Sequence, residues 1–252
     1  MSKIAVAGAT GRVGSQVVDV LEERGHEVVR ISRSNGVDVV TGVGLAEALA
    51  GVDVIVDAAT GPSPDEKEAT DFFSAAASNL QKSGQEARVE RIVVVSIVGI
   101  DGAHRGRGGY YAAKVVHEEV HRAGPVPAVI LRATQFHEFV ETLLQWSTQN
   151  GVGHVPRMRT QLVAARTVAE RLAELATSSN GAVISEIGGP REENLPDAAA
   201  LLVERRGLAV KVEPASNPDD PMTEMYESGA LLPGPDAKLA GPTFEEWLGS
   251  AG

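Results

Sequence analysis

Two hydrophobic periods share the first half of this chain. Lys3 to Ala7 is a short β-branched run ending in glycine. After it Val13, Val17, Val18, Val20 and Leu21 recur at helical spacing until Gly25 stops them. Glu27 to Ile31 supplies a second strand, so the chain opens on one βαβ unit with a short crossover. Asp53 to Ala58 and Arg91 to Val98 are further apolar runs of buried-strand length, separated by an Ala-rich, helix-compatible stretch from Asp65 to Lys82. Tyr110 to Ala123 predicts a helix closed by Gly124 and Pro125, with Ala128 to Leu131 as the next strand. Repeated strand-helix alternation implies an α/β fold, a parallel sheet covered on both faces.

Beyond Asn150 the pattern changes. Gly151 and Gly153 interrupt it, and the segments become shorter and richer in proline. Residues 1–150 are therefore expected to form the main domain, and 151–252 a smaller lobe interleaved with it. In that lobe Thr167 with Glu170 predicts a capping box for a helix running to about Ala176, and Thr243 with Glu246 another before Trp247 and Leu248. Ala182 to Ile187 and Leu208 to Val212 read as strands, Leu195 to Arg205 as a helix, and Asn217 to Pro235 as loop-rich.

Composition narrows the partners. The chain has 252 residues, enough for a sizeable core, and a net charge of -11, which leaves no basic footprint for nucleic acid or an anionic membrane. It has no Cys, so disulfide and thiolate chemistry are excluded and a reducing compartment fits. Strand-like sequence begins directly after position 2, leaving no room for a secretory leader, and no apolar run approaches the ~20 residues of a membrane span. A cytoplasmic protein acting on a small molecule is the expectation, with its oligomeric state open.

Gly8, Gly11 and Gly14 form G-x-x-G-x-x-G between a strand and a helix. Glycine allows backbone conformations closed to other residues and a close approach of phosphate to the amides, while the helix N-terminus stabilises negative charge. The turn therefore predicts a pyrophosphate cradle for a dinucleotide in a Rossmann-type doubly wound sheet, with Thr10 as an added hydroxyl donor and Val13 within the motif. An Asp or Glu at the tip of the second strand would accept from a ribose 2′-hydroxyl and repel a 2′-phosphate. Here Ile31-Ser32-Arg33-Ser34 carries no carboxylate, and Arg33 is a planar cation suited to phosphate. NADP is favoured, with NAD as the alternative. Arg12 either reaches the same phosphate or is a solvated helix-start residue. Ala58, Ala59 and Thr60, after the next strand, leave room for the adenosine and ribose or simply pack a loop.

Gly8-Ala9-Thr10-Gly11-Arg12-Val13-Gly14, Tyr110-Tyr111-Ala112-Ala113-Lys114 and Leu131-Arg132-Ala133-Thr134-Gln135-Phe136 together resemble the atypical short-chain dehydrogenase/reductases, specifically the NmrA-like NAD(P)-binding group. The resemblance implies a Rossmann domain with a small substrate-binding C-terminal lobe. It also implies an oxidoreductase of a small carbonyl, quinone or alkene, in which Tyr110 moves a proton and Lys114, on the same helix face, lowers the phenol's pKa and binds the nicotinamide ribose. Tyr111 shares a face with Lys114 too, and only the family spacing favours Tyr110. The resemblance departs at one place. The superfamily's catalytic Ser falls where Ile97 stands, leaving Ser96, fourteen residues ahead of Tyr110, or another donor such as Gln135. Some members of the group bind dinucleotide as redox sensors without turnover, and epimerase or isomerase chemistry is a nearby variant.

Three further features compete for a role. His117-Glu118-Glu119-Val120-His121 matches H-E-x-x-H, which could bind zinc given a third ligand such as Glu141 or His137. On a helix covering a sheet the two His are instead expected on its solvated flank, with no metal. Asp101 to Gly109, with His104, Arg105 and Arg107, reads as a lid or as a solvated loop. Thr134, Gln135, Phe136 and His137 are expected to line the substrate pocket, His137 as an acid or base or as a structural residue.

Overall fold

In the computed structural model the described residues are 2–101, 108–178, 183–220 and 222–250. Lys3–Ala7 (β1), Glu27–Ile31 (β2), Val54–Asp57 (β3), Arg91–Ile97 (β4) and Ala128–Ala133 (β5) alternate with the helices Arg12–Glu23 (α1), Leu45–Ala48 (α2), Glu66–Ala87 (α3) and Gly109–Ala123 (α4). Then follow α5 (His137–Ser147), β6 (Thr148–Gln149), β7 (Val152–Pro156), β8 (Arg159–Thr160), α6 (Ala165–Thr177), β9 (Ile184–Gly188) and β10 (Glu193–Asn194). The chain closes with α7 (Leu195–Arg206), β11 (Lys211–Ala215), α8 (Thr223–Ser228), β12 (Lys238–Leu239) and α9 (Phe244–Ser250).

Seven strands pair in the order β12-β9-β5-β4-β3-β1-β2, and every pair is parallel. This is the expected doubly wound Rossmann-like sheet. Along each strand alternate side chains enter opposite cores, which is why the strands read as near-continuous apolar runs. Ile4, Val6, Val56 and Val93 pack under α1 and α6, while Ala5, Ile55, Ile92, Val94 and Ile130 pack with Leu80 of α3. From β1 the chain steps to β2 on one side, and β3 lies on the other. The crevice at the carboxyl ends of β1 and β3 is thus the switch point where open α/β sheets bind ligands.

Residues past 150 serve two layers. α6, β9 and β12 complete the central sheet and its cover, whereas β7 pairs with β11 and β6 in a small second sheet. A separate apolar cluster there joins Val140 and Leu144 of α5 to Val155, Leu195, Leu202 and Phe244. Among the described residues no helix is long and apolar enough to cross a membrane.

Several boundaries move for tertiary reasons. α3 runs on to Ala87, and Gly84 inside it is buried against the sheet, where a Cβ would stand 3.4 Å from Ile55 and Val126. Thr167 is no cap. α6 starts earlier, at Ala165, whose N–H donates to the Glu138 carboxylate of α5 at 3.2 Å. The Thr243–Glu246 box forms as expected, with Glu246 N–H donating to Thr243 Oγ1 at 3.2 Å and Thr243 N–H to Glu246 Oε2 at 2.9 Å. The strand expected at Leu208 to Val212 lies three residues later, as β11 in register with β7. The loop-rich stretch before Pro235 includes the short helix α8. His104, Arg105 and Arg107 lie outside the described residues.

Candidate functional site

The glycine turn is built by close approach. Gly8 has φ +74°, and a Cβ there would stand 2.6 Å from the Ala58 carbonyl oxygen. A Cβ on Gly14 would stand 2.1 Å from the Gly8 carbonyl oxygen, so α1 rests directly on the turn. Gly11 N–H donates back to Gly8 O at 2.8 Å. Gly11 is also the N-cap of α1, without a side-chain cap and with no acidic residue in the first turn. These orphan amides and the absent carboxylates fit an anionic group of the pyrophosphate kind. Val13 is buried in the core, so only its backbone faces the turn, and Thr10 is exposed at the rim.

Arg33 opens a one-turn 3-10 segment, Arg33–Asn35, directly after β2. It is exposed and has no ion-pair partner among the described residues. Ser32 and Ser34 are hydrogen-bonded to each other at 2.9 Å beside it. Arg12 does not lean toward this tip. Its Nη2 donates to Thr142 Oγ1 of α5 at 3.1 Å, tying α1 to the outer lobe. Ala58 and Ala59 are buried beneath the crevice, and Thr60 is exposed at its lip.

Tyr110 comes to that lip from the first turn of α4. Its phenol lies 3.0 Å from Thr60 Oγ1, and its ring meets Phe73 edge-on at 5.6 Å between centroids. Burial raises the phenol's pKa, and the Thr60 hydrogen bond opposes this in part. Tyr111, the competing phenol, turns the other way and pairs with Tyr226 of the outer lobe at 6.5 Å between rings.

Lys114 does not take the expected place beside Tyr110. It is 4% exposed, and its Nζ donates to Val95 O at 2.8 Å and to His117 Nδ1 at 2.8 Å, with the Phe73 ring centroid 4.5 Å away. Burial brings the Lys114 ammonium down to about 8, against the charges of Asp57 and Glu118. The reason for its inward turn is a buried cluster that the H-E-x-x-H spacing only half reveals. His117 and His121 are 1% and 0% exposed, facing the sheet and not a solvated flank. Both donate Nε2–H to Asp57 Oδ2, at 2.9 and 3.0 Å, and Asp57 Oδ1 accepts from Ala59 N–H at 3.0 Å. Burial alone would raise the Asp57 pKa, but the two imidazole bonds outweigh it and hold the carboxylate far below its usual range. Gln81 of α3 completes the layer, donating Nε2–H to the carbonyls of His121 and Val126 at 2.9 and 3.1 Å.

Asp57, His117 and His121 have the ligand types and closeness of a metal centre, with their candidate atoms all within 4.8 Å of one another. Neither Glu141 nor His137 is the third member. The tautomers run against coordination. Lys114 as an ammonium needs His117 Nδ1 as acceptor, which leaves the proton on Nε2, the atom that would have to bind the ion. Nor is Glu118 a free base, since Arg132 grips it bidentately at 2.9 and 2.7 Å.

The segment after β5 is more enclosed than expected. Thr134 Oγ1 donates to Gln161 O, Gln135 Oε1 accepts from Thr160 Oγ1 at 2.8 Å, and Phe136 packs on the core. His137 is not in the crevice. It is fully buried between Phe244 and Trp247 of α9, and Nε2 donates to Pro242 O at 3.1 Å. Burial lowers its pKa to about 4. Ser96 is buried with an unpartnered Oγ, while Ile97 at the end of β4 is half-buried. Asp57 and the Thr60–Tyr110 pair were not legible as a unit from sequence. A carboxylate closing the apolar run Val54-Ile55-Val56 was the one available signal.

The profile of the NAD(P)H-binding family matches residues 8–179. No curated protein sequence matches the chain significantly. Several solved structures share the fold. A dTDP-4-dehydrorhamnose reductase from Clostridium acetobutylicum superposes with a TM-score of 0.78 at 15% identity, covering 99% of both chains. MoeE5 in complex with UDP-glucuronic acid and NAD gives 0.76 at 17% identity, over 98% of this chain and 96% of that one. The NADPH-dependent quinone oxidoreductase QOR2 from Escherichia coli, complexed with NADPH, gives 0.74 at 17% identity, over 98% and 99%. With the family profile spanning the glycine turn, the strands β2 to β5 and α4, the chain belongs to the NAD(P)H-binding family.

Proposed function

We propose that this protein is an NADP(H)-dependent reductase of a small carbonyl, quinone or alkene compound, of the NmrA-like kind. The observation that carries the reading is the Tyr110 hydroxyl, 3.0 Å from Thr60 at the lip of the switch-point crevice, on the same edge of the sheet as the glycine cradle. The turn from Gly8 to Gly14 and the uncapped start of α1 hold the pyrophosphate, and Arg33 pairs with the 2′-phosphate. NADPH, when bound, supplies the hydride. Tyr110 gives its proton to the oxygen that gains charge as the hydride arrives, and the raised phenol pKa keeps that proton in place at neutral pH. The solved quinone oxidoreductase with NADPH agrees with this substrate class. Purified protein is expected to oxidise NADPH with a panel of quinones and ketones, and Tyr110→Phe to lower kcat by about 10²-fold or more. NADPH that binds without being consumed by any of them would overturn the enzyme reading.

A second reading, a dinucleotide-binding regulator without turnover, is favoured by one observation. Lys114 is engaged with Val95 O and His117, and so is turned away from the crevice.

Cofactor choice has its own test. Removing the guanidinium in Arg33→Ala is expected to weaken NADPH about 10-fold or more while leaving NADH within about twofold, because a phosphate-Arg pair contributes roughly 1.5–3 kcal/mol. Equal losses for both dinucleotides, read by fluorescence titration, would remove Arg33 from the phosphate site.

A further inference from the structure

We infer that Thr60 is the hydroxyl that positions Tyr110 and passes it protons from solvent. The inference rests on the reading of Tyr110 as proton donor. A buried phenol that gives up a proton must recover one, and among its described neighbours Phe73 offers only a ring edge. Lys114 Nζ is held by Val95 O and His117, Ser96 Oγ has no partner, and the Ile97 side chain has no polar atom. Among the described residues Thr60 alone is hydrogen-bonded to the phenol oxygen, at 3.0 Å. Thr60 is exposed while Tyr110 is half-buried, so the pair spans from water to the crevice.

The loop that carries Thr60 is fixed from below and from the side. Ala58 N–H donates to Ala7 O at 3.1 Å and Ala59 N–H to Asp57 Oδ1 at 3.0 Å. Gly61 lies so close to Phe72 that a Cβ would meet the ring at 3.0 Å. The hydroxyl is therefore held toward Tyr110 by the buried Asp57 and by α3, and the inward Lys114 cluster indirectly sets the outer pair.

The step balances. As the carbonyl carbon gains the hydride from NADPH, the Tyr110 O–H bond breaks and the substrate O–H bond forms. The phenolate takes the Thr60 hydroxyl proton while Thr60 takes one from water, so one hydride and one solvent proton enter the product. The hydroxyl works as a two-way donor and acceptor, which valine, its near-isostere, is not.

Alkaline absorbance titration of the protein, with the Tyr110 phase identified by its loss in Tyr110→Phe, tests the pair without any substrate. Thr60→Val is expected to move that phase upward by about one pH unit, since a lost hydrogen bond to the charged form disfavours it, and Thr60→Ser to leave it in place. In turnover Thr60→Val should lower kcat about tenfold or more with KM for NADPH within about twofold, and Thr60→Ser should restore it. An unmoved phenol phase, a serine variant as impaired as valine, or a Thr60→Val effect confined to NADPH affinity would each overturn the role of Thr60. No turnover by the wild-type protein, with the phenol phase shifted as expected, would instead overturn the reductase reading and the relay with it, leaving only the hydrogen bond.

Discussion

Gly14→Ala is expected to abolish dinucleotide binding and to destabilise the protein by roughly 3 kcal/mol, the upper end of the usual overpacking range, because the site cannot give way. The added methyl would sit 2.1 Å from the Gly8 carbonyl oxygen and 2.7 Å from its carbon, both backbone atoms. Gly8 has little room to retreat, because the Ala58–Ala59 backbone packs so closely on it that a Cβ there would stand 2.6 Å from the Ala58 carbonyl oxygen. The strain must then lift α1 from the turn, and with it the uncapped amides that would hold phosphate. Gly11→Ala provides the control. Gly11 has φ -81° and ψ 172°, open to any residue, and a Cβ there would meet Gly8 O at 3.2 Å. A loss of no more than about 1 kcal/mol is expected from this milder contact. Urea unfolding and NADPH fluorescence titration read both effects. Gly14→Ala binding NADPH as wild type does would show that the turn is not the cradle.

What the sequence reveals is whatever is local. The βαβ opening, the glycine turn and the strands of the central sheet follow from period, glycine and β-branched runs, since a strand buried on both faces is apolar without reference to its neighbours. What it conceals is decided across distance. Thr167 and Glu170 have the spacing of a capping box, yet α6 is capped by Glu138 of another helix. His137 follows a strand end where pocket residues would lie, yet α9, about a hundred residues later, closes over it. H-E-x-x-H shows two His on one helix face but not that the face is turned inward, nor that Asp57, sixty residues earlier, receives both. That one carboxylate also explains why Lys114, correctly spaced from Tyr110 for the superfamily's arrangement, turns away from it. The ammonium is drawn to the imidazole that Asp57 orients, so a single charge in β3 rewrites the helix above it.

The same cluster makes acid the condition under which the fold should fail. Burial depresses His117 to about 3 and His137 to about 4, so both imidazoles are neutral in the folded protein. In the unfolded chain they titrate near 6.5. Stability from these groups is complete above that value. As pH falls below it the unfolded chain takes up protons that the folded one refuses, and the loss reaches roughly 3 kcal/mol for each by pH 4, at ~1.4 kcal/mol per pKa unit. Asp57, whose folded pKa is depressed, adds its share only below about 3.8, where unfolded carboxylates begin to protonate. Together the two losses come to about 6 kcal/mol at pH 4, so a domain at the lower end of the typical 5–15 kcal/mol reaches its acid-unfolding midpoint at about pH 4–5. His117→Gln separates the cluster from His137. It should lower stability at pH 7, because Lys114 and Asp57 lose the imidazole between them. It should also flatten the decline between pH 6 and pH 4 by about one proton, roughly 1.4 kcal/mol per pH unit. Urea unfolding at three pH values across that window gives the slope. An unchanged slope in His117→Gln would mean that the imidazole is already charged in the folded protein, and that Asp57 and Lys114 are not bridged by a neutral ring.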